Sequence, residues 1–175
     1  MKTTMTYDPV TKAIHWLLFL LVAAQYAVGE IMPHIGRHTQ DTGLVAVHMA
    51  LGATVLAAVA AAILWRFFHP VPQLAELPGW QRAAAMLTHW LLLGLVLALT
   101  LLGWAASGYR GWTIGIFGLI PLPPMAQKGD AWAHTAGGIH NLLVNALLAL
   151  VALHAAAALY HHFVRRDGVL KRMLP

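Results

Sequence analysis

Four long runs of apolar residues, each interrupted by short polar punctuation, make up almost the whole chain. Each run is long enough to cross a bilayer as a helix. Asp8-Pro9 reads as an N-cap followed by proline at the first helical position. The first helix is therefore expected over about 9–31. A polar stretch with Pro33, Gly36, Arg37, His38 and Asp41 follows, then a second helix over about 43–65 that Arg66 and His69-Pro70 end. A connector around 71–79, flanked and interrupted by prolines, leads to a third helix over about 80–107. The Gly- and Pro-rich stretch 108–135 is the longest connection, with Trp112, Phe117 and Trp132 placed to rest at a lipid interface. A fourth helix is expected over about 136–166, ahead of a basic tail. The fold class is all-α: an integral membrane four-helix bundle, up-down-up-down, spanning residues 1–175 as one domain.

Composition agrees with this reading and narrows it. Of the 175 residues 59% are hydrophobic and only 10% carry a formal charge, far below a soluble domain. A net charge of +5 could point to nucleic acid, but in a membrane chain basic residues are first read as topology. Lys2, Lys12, Arg66, Arg82, Arg165, Arg166, Lys171 and Arg172 fall on one face and Arg37, Arg110 and Lys128 on the other, which puts both termini in the cytoplasm. No soluble domain is left to bind nucleic acid. A cleaved signal peptide ending near Ala27-Val28-Gly29 is the competing reading of the first run, and it would discard His15. The lack of cysteine excludes thiolate-ligated haem, Cys-ligated iron–sulfur clusters and covalent c-type haem attachment.

Eleven histidines against six acidic residues is the second departure from the ordinary. Four of them, His15, His48, His140 and His154, lie within the apolar runs, where an ionisable group is costly and marks a functional site by default. His140 and His154 are fourteen residues apart on one helix, so they sit about 21 Å apart on nearly the same face. With odd helices running outward and even helices inward, the depths match in pairs: His48 with His140 near the outside, His15 with His154 near the inside. Paired imidazoles from facing helices can hold an iron porphyrin from both sides. Small residues beside them (Ala13, Gly52, Gly137, Gly138 and the run 155–158) leave room for a flat ring. Any single intramembrane histidine could equally be a hydrogen-bonded packing residue, and the matched depths are what favour ligation. His89, also toward the inside, is the rival ligand and reads better as a neighbour of the inner site or a propionate partner. His161 and His162 are open between a snorkelling helix end and contact with a quinone head group. His34, His38, His69 and His134 fall in connections and are expected to be solvated.

Several of these residues sit in recognisable strings: K-A-I-H-W at Lys12–Trp16, H-x-x-x-G at His48–Gly52, Y-R-G at Tyr109–Gly111, L-H-A-A-A-A-L-Y-H-H at 153–162, and D-G-V-L-K-R-M-L-P at 167–175. In these the whole chain resembles the small bacterial cytochrome b561 family. The resemblance implies an inner-membrane protein holding two non-covalent haem b groups on His15, His48, His140 and His154. It further implies a superoxide oxidase that passes electrons from superoxide at the outer face to ubiquinone. Two axial histidines fill the iron's coordination sphere, which favours one-electron transfer over oxygen binding. Superoxide is an anion, so Arg110 and Lys128, with Arg37 third, are the candidate entrance residues. His161, with Trp16 near the ring, is the candidate quinone contact. No obligate protein partner is expected. A cytochrome b subunit serving a hydrogenase or dehydrogenase partner is the alternative, and a transporter whose histidines bind zinc or relay protons is a third reading.

Overall fold

A computed structural model describes residues 6–69 and 77–174. The described chain forms four membrane-length helices: α1 (Pro9–Ile31), α2 (Leu44–Phe68), α3 (Gly79–Arg110) and α4 (Ala131–Tyr160). Between α3 and α4 lies a small antiparallel hairpin, β1 (Gly115–Ile116) and β2 (Ile120–Pro121), with Ile116 opposite Ile120. One π-helical turn, His161–Arg165, continues α4, and a 3₁₀ turn, Leu170–Arg172, lies near the end of the tail. Most of the connector expected at 71–79 falls outside the described residues.

Local signals explain the helix ends. Asp8 caps α1, its carboxylate accepting from the Thr11 amide at 2.9 Å, with Pro9 in the first turn. The third helix runs three residues further than its sequence suggests. Gly111 takes the left-handed conformation at φ 75° and its amide and that of Trp112 close onto Gly108 and Ser107. The fourth starts five residues earlier than expected, because the Ala133 and His134 amides turn back onto the Asp130 carbonyl while the Asp130 carboxylate accepts from Gln127. Trp132 and His134 consequently sit on the first turns of α4 rather than in a loop. Arg166, expected as the last helical residue, instead adopts a left-handed conformation at φ 53° and turns the chain.

α1 packs on α2, α2 on α3, and α3 on α4. Few side chains are buried, and those that are tend to be small: Ala53, Val55 and Val59 on α2, Ala105 on α3, Ala133 and Ala136 on α4. Large apolar residues such as Leu20, Phe67, Leu142 and Leu153 face outward, as expected where lipid is the solvent. The tightest seam joins Ala105 and Gly108 of α3 to Ala126, Ala133 and Ala136. Small residues allow backbones to approach that closely. At the opposite end the two termini meet: the Trp16 indole donates to the Met173 carbonyl at 3.0 Å, and the Tyr7 amide to the Arg172 carbonyl at 3.4 Å.

A side chain at Gly108 would put its Cβ 2.6 Å from the Ala126 carbonyl oxygen and 2.9 Å from its nitrogen, both backbone atoms that cannot swing away. Gly108→Ala should therefore lower stability by about 1–3 kcal/mol. Gly94 has nothing within 4 Å, and Gly94→Ala should leave the melting temperature unchanged or raise it. Thermal unfolding in the same detergent checks both.

Candidate functional site

The four intramembrane histidines meet two by two. His15 of α1 and His154 of α4 have ring centroids 6.3 Å apart, and His48 of α2 and His140 of α4 have theirs 6.4 Å apart. Two metal–nitrogen bonds of about 2 Å, plus about 1.1 Å from each nitrogen to its ring centre, sum to roughly 6 Å across a shared metal. Both separations match that sum. The fourteen-residue spacing of His140 and His154 sets the two sites about 21 Å apart along α4.

The His48–His140 pair is held by specific neighbours. Nδ1–H of His140 donates to the Leu99 carbonyl at 2.8 Å, which leaves Nε2 with its lone pair available to a metal. The Thr100 hydroxyl, which lines the same cavity, donates to the Val96 and Leu97 carbonyls of its own helix. Glycines flank both rings. A Cβ at Gly29 would meet His48 at 3.4 Å, and one at Gly103 would meet His140 at 3.3 Å. Around the pair opens a cavity of about 950 Å³, at the large end for cofactor sites, reaching from Gln25 and Gly29 to Gly103 and Arg110.

Gln25 is a member of this site that sequence reasoning missed. Its amide nitrogen lies 3.1 Å from Nε2 of His48, while its own Oε1 and the Nδ1 of His48 are buried without a hydrogen-bond partner. A buried donor and a buried acceptor left side by side are costly. The one amide within an otherwise apolar stretch of α1 was the available signal.

At the inner site His89 stands beside His154, with ring centroids 5.3 Å apart, and Nδ1–H of His89 donates to the Ala85 carbonyl at 2.6 Å. That separation is about 1 Å shorter than a shared metal requires, so His15 is the better-spaced partner of His154. Trp16 packs edge-on to His15, 5.4 Å between centroids, while its indole N–H is tied to the tail. Below this level His161 is only 14% exposed and its Nδ1–H donates to the Asp167 carboxylate. A six-residue return through the π-helical turn brings that carboxylate back to His161. Among the described residues no three His, Cys, Asp or Glu side chains converge as a metal cluster.

The remaining candidates separate. Arg110 lies at the outer end of α3, its guanidinium donating to the Gly36 carbonyl at 2.9 Å and stacked over Trp112 at 4.9 Å. Lys128 lays its aliphatic stem against Gly111, next to Arg110. Arg37 is exposed on the α1–α2 connection. His34, His38, His69 and His134 are all exposed as expected, His134 also laying its ring against Tyr109 at 5.1 Å and His69 stacking flat on Trp65 at 3.6 Å.

Comparison with known proteins agrees with the geometry. A family profile described as prokaryotic cytochrome b561 matches residues 6–175. A probable superoxide oxidase CybB of Yersinia pestis is 32% identical over 97% of this chain and 96% of its own length. Cytochrome b561 homolog 2 of Escherichia coli is 30% identical over 99% and 93%, and a cytochrome b562 of Cereibacter sphaeroides 31% over 96% and 94%.

Burial pushes the Asp167 carboxyl up, but hydrogen bonds from His161 and the Val169 amide, with the nearby positive charge of Arg165, hold it below the ordinary carboxylate range. A depressed carboxyl stabilises the fold above its unfolded pKa, and that contribution is lost as pH falls through the depressed value. Protection of the tail's backbone amides from hydrogen exchange should thus be full at neutral pH and fall below about pH 4. In Asp167→Asn the acid-dependent part of that loss should disappear.

Proposed function

Because the chain belongs to the prokaryotic cytochrome b561 family, whose members are multi-pass bacterial membrane cytochromes and imply haem b, we propose that it is a di-haem oxidoreductase carrying electrons from superoxide to ubiquinone. The observation that carries the two-site reading is the pair of imidazole separations, 6.3 and 6.4 Å, each set between different helices. His48 and His140 would hold the outer haem, and His15 and His154 the inner one. The two groups, when bound, supply one-electron transfer along the bundle. The overall reaction takes two superoxide anions, one quinone and two protons to two dioxygen molecules and one quinol.

Residues of the chain divide this work. Arg110 and Lys128 place two positive charges beside the outer cavity, where an anion would be drawn in. The likeness to a probable superoxide oxidase supports superoxide as the donor. At the inner end the Asp167 carboxylate accepts from Nδ1–H of His161, so the ring, when it carries a second proton, would present Nε2–H as the donor to a quinone oxygen. Trp16 roofs that end by holding the tail to α1. The bacterial inner membrane, with both termini cytoplasmic, is the placement that the excess of basic residues at the inner ends supports.

Anaerobic mixing of oxidised protein with superoxide should reduce the haem, with a rate that falls as salt rises and falls further in Arg110→Ala. Failure to reduce at any salt concentration would remove superoxide as the donor while leaving the cytochrome intact. Haem content separates the sites: His48→Ala and His140→Ala should each lose one haem, His15→Ala and His154→Ala the other, and His89→Ala neither. Asp167→Asn should keep superoxide-driven reduction but slow reoxidation by a quinone analogue by about 10–100-fold, the scale on which partners that orient an active imidazole act.

A further inference from the structure

The α3–α4 connection is not built like an aqueous loop. Between Arg110 and Lys128 it contains no Asp, Glu, Lys or Arg. Instead of standing away from the bundle, it folds back along α2. The Phe117 amide donates to the Thr54 hydroxyl at 3.0 Å, and a Cβ placed on Gly118 would lie 3.7 Å from that of Ala50. Ala50 and Thr54 are six and ten residues into α2, so the tip of the hairpin lies roughly 9–15 Å along that helix from its Leu44 end, against a hydrocarbon half-thickness of about 15 Å.

Backbone can enter that depth only if its polar groups are satisfied. Here the Gly118 and Leu119 amides close onto the Gly115 and Ile116 carbonyls, each at 3.0 Å, and the Leu122 amide reaches Ile114 at 2.9 Å. The Phe117 amide has Thr54, whose hydroxyl in turn donates to the Ala50 carbonyl. Pro121, Pro123 and Pro124 have no N–H to satisfy. The Pro123 carbonyl accepts from the Trp104 indole at 3.0 Å. Within the hairpin itself the side chains that point away are apolar: Phe117, Leu119 and Ile120 are 68%, 82% and 57% exposed.

We propose that the β1–β2 hairpin is a re-entrant element whose Phe117, Leu119 and Ile120 side chains lie in the acyl chains of the leaflet on that side, beside α2. Charge-free composition, depth along α2 and internally satisfied amides all select lipid as the occupant.

The chain has no cysteine, so a single introduced thiol can carry a spin label alone. Full-length protein with a label at Leu119→Cys or Ile120→Cys, reconstituted into phosphatidylcholine vesicles, would be compared with Leu64→Cys on the lipid face of α2 and Thr42→Cys in the polar connection. Power saturation should show both hairpin labels accessible to oxygen and shielded from a water-soluble nickel chelate, as at Leu64, with the oxygen-to-nickel ratio severalfold above that at Thr42. Nickel accessibility like that of Thr42 would overturn the proposal by placing the hairpin in water. Low accessibility to both reagents would overturn it by placing the hairpin against another protein chain. Both labelled residues are exposed, so the substitutions should leave the packing intact.

Discussion

An imidazole inside hydrocarbon must be satisfied, and that requirement shapes this bundle more than any other interaction. A side chain that can neither reach water nor find a partner costs enough to threaten the span that carries it. The chain answers locally where it can: His140 donates to Leu99 and His89 to Ala85. Each such bond occupies Nδ1 and leaves the Nε2 lone pair unused by it. At His140 the bond that makes the ring tolerable in the membrane thus keeps Nε2 available for the proposed pairing with His48.

Room for a flat group between the rings comes from what the helices lack. α4 packs closely on α3, whereas it meets α1 and α2 at the histidine rings. Gly29 and Gly103 abut the outer imidazoles at positions where even a methyl group would press on the ring. A bundle that opens such a gap forfeits dispersion contacts along its centre. It recovers some at the Ala- and Gly-lined seam between α3 and α4, and the Gln25 to His48 contact shows where recovery is incomplete. Two unpaired polar atoms remain there, Oε1 of Gln25 and Nδ1 of His48 itself.

Helix number, order and type were legible because length and hydrophobicity decide them, and the matched depths of the four histidines followed from helix rise alone. The capping of α1 was legible too, since Asp8-Pro9 is a purely local signal. Helix ends governed by backbone returns were not. Nothing in the residues 131–135 looks more helical than loop until Asp130 is seen to receive the turn. His161 read as ambiguous for a similar reason, since its partner, Asp167, is brought back to it by a turn whose geometry composition does not encode. Gln25 was visible as an anomaly, but its target on a neighbouring helix required the fold.

The two ends of the bundle are built for different traffic. At the outer end the cavity beside His48 and His140 extends to Arg110, and Lys128 stands next to it, so a small charged species has a route from water to the ring edge. The inner end is covered: Trp16 holds Met173, the Trp65 indole donates to Thr11 at 3.1 Å, and the π-helical turn folds Asp167 back over His161. Such an asymmetry suits the proposed reaction, in which a hydrophilic donor would meet one end and a lipid-borne acceptor the other. If the tail were instead loosely held, the Asp167 carboxylate would be free to hydrate and the Nδ1–H of His161 would lose its partner.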